Sequence, residues 1–146
     1  MTDTDRATLA RDLIADEGTG PIIGGRLMPY ECTAGYLTIG FGRNIEKNGI
    51  SLEEAHFLLL ADITDAVEQM ARAFPWAMQM TGARQRVLAN MLFNMGLPKV
   101  QRFRKALAAM KAGDYATAAG EMRNSAWAAQ VGARAERLAA LMERGE

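Results

Sequence analysis

The chain has 146 residues, enough for one domain whose folding buries roughly two thirds of the surface of the unfolded chain. Its 17 basic and 17 acidic residues balance, which argues against the basic surface of a non-specific nucleic-acid-binding protein. No apolar run approaches the roughly 20 residues that span a bilayer, and the acidic, polar start is unlike a secretory signal. We therefore expect one domain over residues 1–146 with no nucleic-acid partner and no stable membrane insertion.

Residues that could hold a metal or form a disulfide are scarce. Cys32 is the only cysteine and His56 the only histidine, too few for an internal disulfide or a Cys/His metal cluster. We therefore predict no metal and no cofactor. The arginines of the C-terminal half are expected to lie on solvated helix faces rather than form a binding stripe; they are Arg84, Arg86, Arg102, Arg104, Arg123, Arg134 and Arg137.

The first third of the chain mixes a helix with a short β segment. Apolar residues at helical spacing predict a helix over about 4–16, which stops at Glu17-Gly18. Gly18–Gly25 holds four glycines and a proline, a composition typical of a loop. Tyr36–Phe41 has the aromatic and β-branched residues of a strand.

The rest of the chain has helical patterns. Ser51-Leu52-Glu53-Glu54 predicts a capping box that opens a long helix ending near Pro75. One stripe of that helix is apolar and is expected to be buried: Leu52, Ala55, Leu59, Ile63, Val67, Met70 and Phe74. Gln79–Met95 is predicted to be the central buried helix, and most of the ten methionines are expected to fill the core. Shorter helices are predicted over 100–112, 114–123 and 133–143, with Gly113 as a stop and Asp114 as a cap.

Glu17 and Cys32 are the candidates for chemistry. Glu17 lies where the first helix meets the glycine-rich stretch, and a carboxylic acid becomes a useful general acid where burial favours its neutral form. The alternatives are a solvated glutamate and the neighbouring Asp16 in the same role. Cys32 lies in a polar stretch, although a single cysteine is more often a small buried hydrophobe. Thr38 alone would be an ordinary strand threonine.

Together these residues resemble a known pattern. The segments 16–18 and 26–42 resemble the active-site region of phage-type lysozymes, the endolysins of glycoside hydrolase family 24. That pattern has a glutamate, then an aspartate or cysteine, then five residues and a threonine; Glu17, Cys32 and Thr38 match it. The stretch between Glu17 and Cys32 is longer than usual in the family, and the extra residues fall within Gly18–Gly25. We expect them to form a surface bulge, since lengthening a loop costs little stability.

The resemblance continues to the C-terminal end. Segments 50–55, 93–96, 112–115, 125–127 and 134–137 look like successive landmarks of the family. It implies an α+β, mainly helical, lysozyme-like fold with a small β-containing lobe (about 17–50) and a connecting helix (about 51–74). A helical lobe (about 79–146) would follow, with the cleft between the lobes.

The resemblance also implies a function. The substrate would be the peptidoglycan glycan strand, cut at the β-1,4 bond between N-acetylmuramic acid and N-acetylglucosamine. Glu17 would protonate the leaving oxygen, and Cys32 and Thr38 would place the attacking water in an inverting reaction. Arg134 would pair with the catalytic glutamate and would belong, with Asn94 and Gln130, to the substrate-binding residues.

The resemblance further implies where and with what the chain acts. A monomer would reside in the host cytoplasm and reach the cell wall through a separate membrane pore. Two other functions stay open. A lytic transglycosylase would release an anhydro-muramic product, and an inactive lysozyme-like module would bind glycan or a partner protein without turnover. Product masses, and binding without turnover, distinguish the three.

Overall fold

The computed structural model describes residues 1–146 as nine α-helices and five short strands. The helices are α1 (Asp3–Glu17), α2 (Ile45–Asn48), α3 (Leu52–Ala73), α4 (Gly82–Met95), α5 (Leu97–Val100), α6 (Arg104–Ala112), α7 (Tyr115–Arg123), α8 (Ala126–Val131) and α9 (Ala133–Arg144). The strands are β1 (Ile22–Ile23), β2 (Arg26–Leu27), β3 (Tyr30–Glu31), β4 (Leu37–Ile39) and β5 (Arg43–Asn44). The α+β, mainly helical class is confirmed. None of the helices combines the length and the apolar character needed to cross a membrane.

The chain divides into two compact units, Met1–His56 and Phe57–Glu146. All five strands lie in the first unit, with α1 and α2. The second unit is helical, and α3 begins in the first unit and ends in the second.

A β-hairpin occupies part of the stretch that the sequence predicted to be a loop. β1 pairs antiparallel with β2, placing Ile22 opposite Leu27 and Ile23 opposite Arg26. Gly24 and Gly25 form the connection with φ of 57° and 77°, the left-handed conformation that a tight two-residue hairpin turn requires of both residues. The loop prediction for Gly18–Gly25 is therefore wrong at residues 22–23, because the two glycines close a turn between pairing strands.

The second sheet, ordered β3-β4-β5, is antiparallel and has Thr38 at its centre. Thr38 lies opposite Tyr30 on one side and Asn44 on the other. It is only 2% exposed. The predicted strand over Tyr36–Phe41 is confirmed in its middle, where β4 spans Leu37–Ile39.

The capping box at the start of α3 is confirmed, but the predicted buried stripe is mostly wrong. Ser51 Oγ accepts from the Glu54 backbone N–H at 3.1 Å, and the Glu54 carboxylate accepts from the Ser51 N–H at 2.7 Å. Along the stripe only Met70 and Phe74 are buried, while its exposed residues are Leu52, Leu59, Ile63 and Val67. Helical spacing shows which face is apolar, and only the last third of that face meets the core.

The apolar face of α1 is exposed as well. This helix buries no residue, and Leu9, Leu13 and Ile14 are all exposed. The start of the helix is fixed by Thr2, which is its N-cap. The Thr2 hydroxyl accepts a hydrogen bond from the Asp5 N–H, forming a second capping box.

The core of the second unit is built around α4, as the sequence predicted. Val87, Leu88 and Met91 on this helix are completely buried. The methionine prediction is confirmed for those that fill the interior: Met70, Met80, Met91, Met110, Met122 and Met142. Gly113 ends α6 with φ of 78°, and Asp114 caps α7 by accepting from the Thr117 N–H at 3.1 Å.

Two local features differ from the sequence-based elements. Residues 75–79 form a 3-10 turn, so α4 begins after Thr81, whose hydroxyl accepts from the Arg84 N–H. The helix α8 was not predicted. Ser125 caps it by accepting from the Ala128 N–H at 3.1 Å.

Truncation of a core methionine tests this packing. Met91→Ala is expected to lower the free energy of unfolding by about 2–5 kcal/mol, because it leaves a cavity in a fully buried position. The exposed Met78→Ala is the control and should cost less than about 0.5 kcal/mol. Urea titrations followed by far-UV circular dichroism give both values, and equal losses would contradict the assigned core.

Candidate active site

Glu17 is the last residue of α1, and its carboxylate lies against Gly42. The helix stops at Gly18, whose N–H donates to the Ile14 carbonyl at 3.1 Å. A Cβ built on Gly42 would lie 2.8 Å from Glu17 Oε2, and Gly42 has φ of 79°. Glycine is thus required at position 42 both for the backbone conformation and for the space that the carboxylate fills. The Glu17 side chain is exposed.

Cys32 and Thr38 are brought together through the carbonyl group of Tyr36. The Cys32 N–H donates to this carbonyl at 3.0 Å, and the Thr38 hydroxyl donates to it at 2.9 Å. The Gly35 N–H closes the turn by donating to the Cys32 carbonyl at 2.8 Å. The turn between β3 and β4 therefore sets the half-buried thiol beside the buried hydroxyl.

The pKa of the Cys32 thiol lies below its ordinary value. The backbone N–H of Tyr36 is the largest cause, followed by the N–H of Ala34 and the hydroxyl of Thr38, and desolvation opposes them. The Thr38 hydroxyl has one proton, which it gives to the Tyr36 carbonyl when Cys32 is a neutral thiol. Rotation of that hydroxyl allows it to donate to the thiolate instead. The pair can therefore hold a water molecule through one acceptor and one rotatable hydroxyl.

Asn94 and Gln130 line one cleft of the second unit, with a volume of about 800 Å³. Asn94 Oδ1 accepts from the indole N–H of Trp127 at 2.9 Å. The Trp127 ring packs edge-on against Phe103, with 6.0 Å between ring centroids. We name this cavity the Trp127 cleft. The structure thus brings together two of the three predicted substrate-contact residues.

Arg134 belongs to a different cavity of the same unit. It lines an apolar cavity of about 410 Å³ together with Asn90. Its Nε and Nη2 donate to Asn90 Oδ1 at 3.1 and 2.8 Å. Arg134 is therefore separate from the Trp127 cleft, and its pairing with Glu17 stays a prediction.

The sequence comparison decides the family. The phage lysozyme profile matches residues 22–146. This chain belongs to the phage lysozyme family. The matched region contains Cys32 and Thr38 and begins after Glu17. Membership supports a lysozyme-like, glycan-hydrolysing function and accords with the α+β fold.

Three relatives show how far the similarity extends. The chain is 30% identical over 171 aligned residues to the pre-baseplate central spike protein Gp5 of Enterobacteria phage T4, covering 98% of this chain and 29% of that protein. It is 28% identical over 151 residues to the probable T4-type lysozymes 1 and 2 of Dictyostelium discoideum. Those two alignments cover 84% of this chain and 89% of each relative.

Several residues of this phage lysozyme domain were missed by the sequence reasoning. Gly42 was not singled out by the sequence, although the structure places it against Glu17. Trp127 was noted only as part of a family segment. Four basic residues of the Trp127 cleft lie close together in the sequence, within residues 99–105, and this clustering could have indicated the cleft. They are Lys99, Arg102, Arg104 and Lys105. No group of three or more His, Cys, Asp or Glu residues is arranged to hold a metal ion.

The thiol pKa gives a test of the Cys32–Thr38 contact. Thr38→Val is expected to raise the pKa of Cys32 towards its ordinary value, because one donor to the thiolate is lost. The pH dependence of alkylation by iodoacetamide measures it, and the exposed Thr33→Val is the control. The pKa of the Cys32 thiol is lower in the folded than in the unfolded protein, so its ionisation stabilises the fold. This contribution is complete at pH values above the pKa of the unfolded protein, and it is lost as the pH falls through the pKa of the folded protein. Unchanged alkylation in Thr38→Val would contradict the contact.

Proposed function

We propose that the chain hydrolyses the β-1,4 bond between N-acetylmuramic acid and N-acetylglucosamine in bacterial peptidoglycan. One observation carries the proposal: the turn that follows the strand of Thr38 makes room, at Gly42, for the Glu17 carboxylate. A carboxylic acid and a thiol–hydroxyl pair therefore come from one small folding unit. An inverting glycosidase needs a proton donor and a group that activates water on the opposite face, and we assign these two roles to the carboxylic acid and to the pair.

Glu17 is the proposed general acid. Protonated, it gives its proton to the glycosidic oxygen as the bond to the anomeric carbon breaks. A proton donor must stay neutral until it reacts, and this carboxyl is exposed in the structure. Bound glycan would supply the desolvation by covering the carboxyl, since exclusion of water favours the neutral form.

Cys32 and Thr38 are proposed to position the attacking water. The water adds to the anomeric carbon on the face opposite the leaving group, and the Cys32 thiolate accepts its proton. A thiol of ordinary pKa is only a few per cent ionised at neutral pH. The backbone N–H groups of Ala34 and Tyr36 therefore matter, because they increase the ionised fraction.

Groups of the second unit are proposed to bind the substrate. Asn94 and Gln130 present amides to the Trp127 cleft, where they suit the N-acetyl and peptide groups of a wall strand. Arg134 is proposed as a further substrate contact. Its hydrogen bonds to Asn90 hold the guanidinium in one orientation.

The cellular setting is also a proposal. The Dictyostelium relatives are named as probable lysozymes, and the phage T4 relative is a spike protein of which the aligned part is 29%. We propose a monomer that resides in the host cytoplasm and reaches peptidoglycan through a separate membrane pore.

Substitution of the acid tests the reaction. Glu17→Gln is expected to lower the rate of peptidoglycan hydrolysis by roughly a hundredfold or more, because the amide has no acidic proton to give. Asp16→Asn is the matched control and should retain most activity, since it changes the neighbouring carboxyl. The products of purified peptidoglycan are separated and identified by mass spectrometry.

Reducing muropeptides that disappear in Glu17→Gln and persist in Asp16→Asn would support the proposal. Anhydro-muropeptides would make the chain a lytic transglycosylase. Binding to the wall without turnover by folded wild type would make it a binding module.

A glycine substitution tests the placement of Glu17. Gly42→Ala is expected to lower kcat by roughly ten- to hundredfold, because the added Cβ collides with the carboxylate and displaces it. Gly49→Ala is the control: it also has positive φ, 58°, but an added Cβ there meets nothing within 4 Å. Both variants should lose about 1–3 kcal/mol of stability through backbone strain. Equal kcat values in two folded variants would refute the placement.

A further inference from the structure

The Trp127 cleft is rich in positive charge, although the whole chain has none in excess. Four cations contribute to its lining, Lys99, Arg102, Arg104 and Lys105, against one carboxylate, Glu121. All four are exposed, and none of them forms a salt bridge. The chain as a whole has 17 basic and 17 acidic residues. The charge is therefore concentrated at this cleft.

Two carboxylates of the same unit, Glu136 and Glu143, are engaged elsewhere. Arg123 is bound by Glu136, through bonds of 3.0–3.1 Å, and by Glu143 at 3.2 Å. The hydrogen bonds from Arg123 lower the pKa of Glu136, so the Glu136 carboxylate stays charged and paired with Arg123. The cations of the Trp127 cleft are thus left to interact with a ligand or with solvent ions.

The remaining lining shows which kind of anion would fit. Asn94, Asn124 and Gln130 supply amides that pair with peptide groups, and Phe103 and Trp127 supply apolar surface. A phosphate polymer would use the cations alone. A short acidic peptide uses all three kinds of surface, and about 800 Å³ is within the range of sites that hold small ligands.

We infer that the four cations make this cleft selective for wall peptides that carry free carboxylates. The inference rests on the proposed function for its substrate, since the peptide branches of peptidoglycan bear carboxyl groups that some walls leave free and others amidate. Lys99, Arg102, Arg104 and Lys105 are specificity-determining residues. They attract the unamidated peptide and lose that advantage when its carboxylates are converted to amides.

Binding of two matched peptides tests the inference without any hydrolysis. The probes are the tetrapeptide L-Ala-γ-D-Glu-meso-diaminopimelate-D-Ala and the same peptide with the glutamate and diaminopimelate carboxyls amidated. Shifts of the Trp127 indole N–H resonance report binding to the full chain. We expect the acidic peptide to bind wild type roughly three- to tenfold more tightly, because exposed ion pairs contribute modestly.

Charge-matched variants separate a local effect from a general one. Arg102→Gln/Lys105→Gln removes two cations from the cleft, and Lys111→Gln/Arg137→Gln removes two exposed cations that do not line it. The first variant should weaken binding of the acidic peptide roughly three- to tenfold and change binding of the amidated peptide less, because that peptide keeps only its C-terminal carboxylate. The second should bind both peptides as wild type does.

The inference fails if wild type binds the two peptides equally, if neither peptide binds, or if both variants lose the same affinity. Its failure is distinct from failure of the proposed function. Hydrolysis of peptidoglycan with no preference for the acidic peptide would overturn only the inference. If the chain prefers the acidic peptide but does not hydrolyse peptidoglycan, the proposed activity is wrong and the inferred selectivity of the Trp127 cleft stands.

Discussion

Two hydrogen bonds to the Tyr36 carbonyl position the proposed catalytic residues Cys32 and Thr38 in the first unit. They fix the turn between β3 and β4, and they join the Cys32 backbone to the Thr38 side chain. Thr38 is the one buried residue of this unit, and it pairs with both neighbouring strands. A buried hydroxyl must be hydrogen-bonded, so its partner determines its orientation. The position of the thiol then follows from the same turn.

The backbone at Gly42 places the acid in the same unit. The strand of Thr38 continues into a turn whose glycine has positive φ and lies against the Glu17 carboxylate. The end of α1 and the end of β4 are thereby linked through one close contact. In the second unit, a core of α4 and its neighbours supports the amides, aromatic rings and cations of the Trp127 cleft. The proposed catalytic groups and the proposed binding groups thus rest on different kinds of structure.

Local signals predicted much of this fold. The capping box at Ser51 and Glu54 and the cap at Asp114 are each formed by residues three positions apart, so they can be predicted from the local sequence alone. The exposure of Leu59 and Ile63 could not be predicted, because burial depends on which surface meets the helix. The spacing of Cys32 and Thr38 fits their contact across one turn. The cavity that Arg134 lines depends instead on how α3, α4 and α9 come together, which no motif encodes.

The central claim is a single displacement in which Glu17 donates the proton and a water held by Cys32 and Thr38 attacks. The anomeric configuration of the first product tests it most directly. Proton NMR during rapid digestion of an uncrosslinked glycan strand resolves the anomers before they interconvert. The account predicts that the new reducing end appears first as the α-anomer, inverted from the β-1,4 bond. An initial β-anomer would contradict it, since retention requires two successive displacements in place of one direct attack by water.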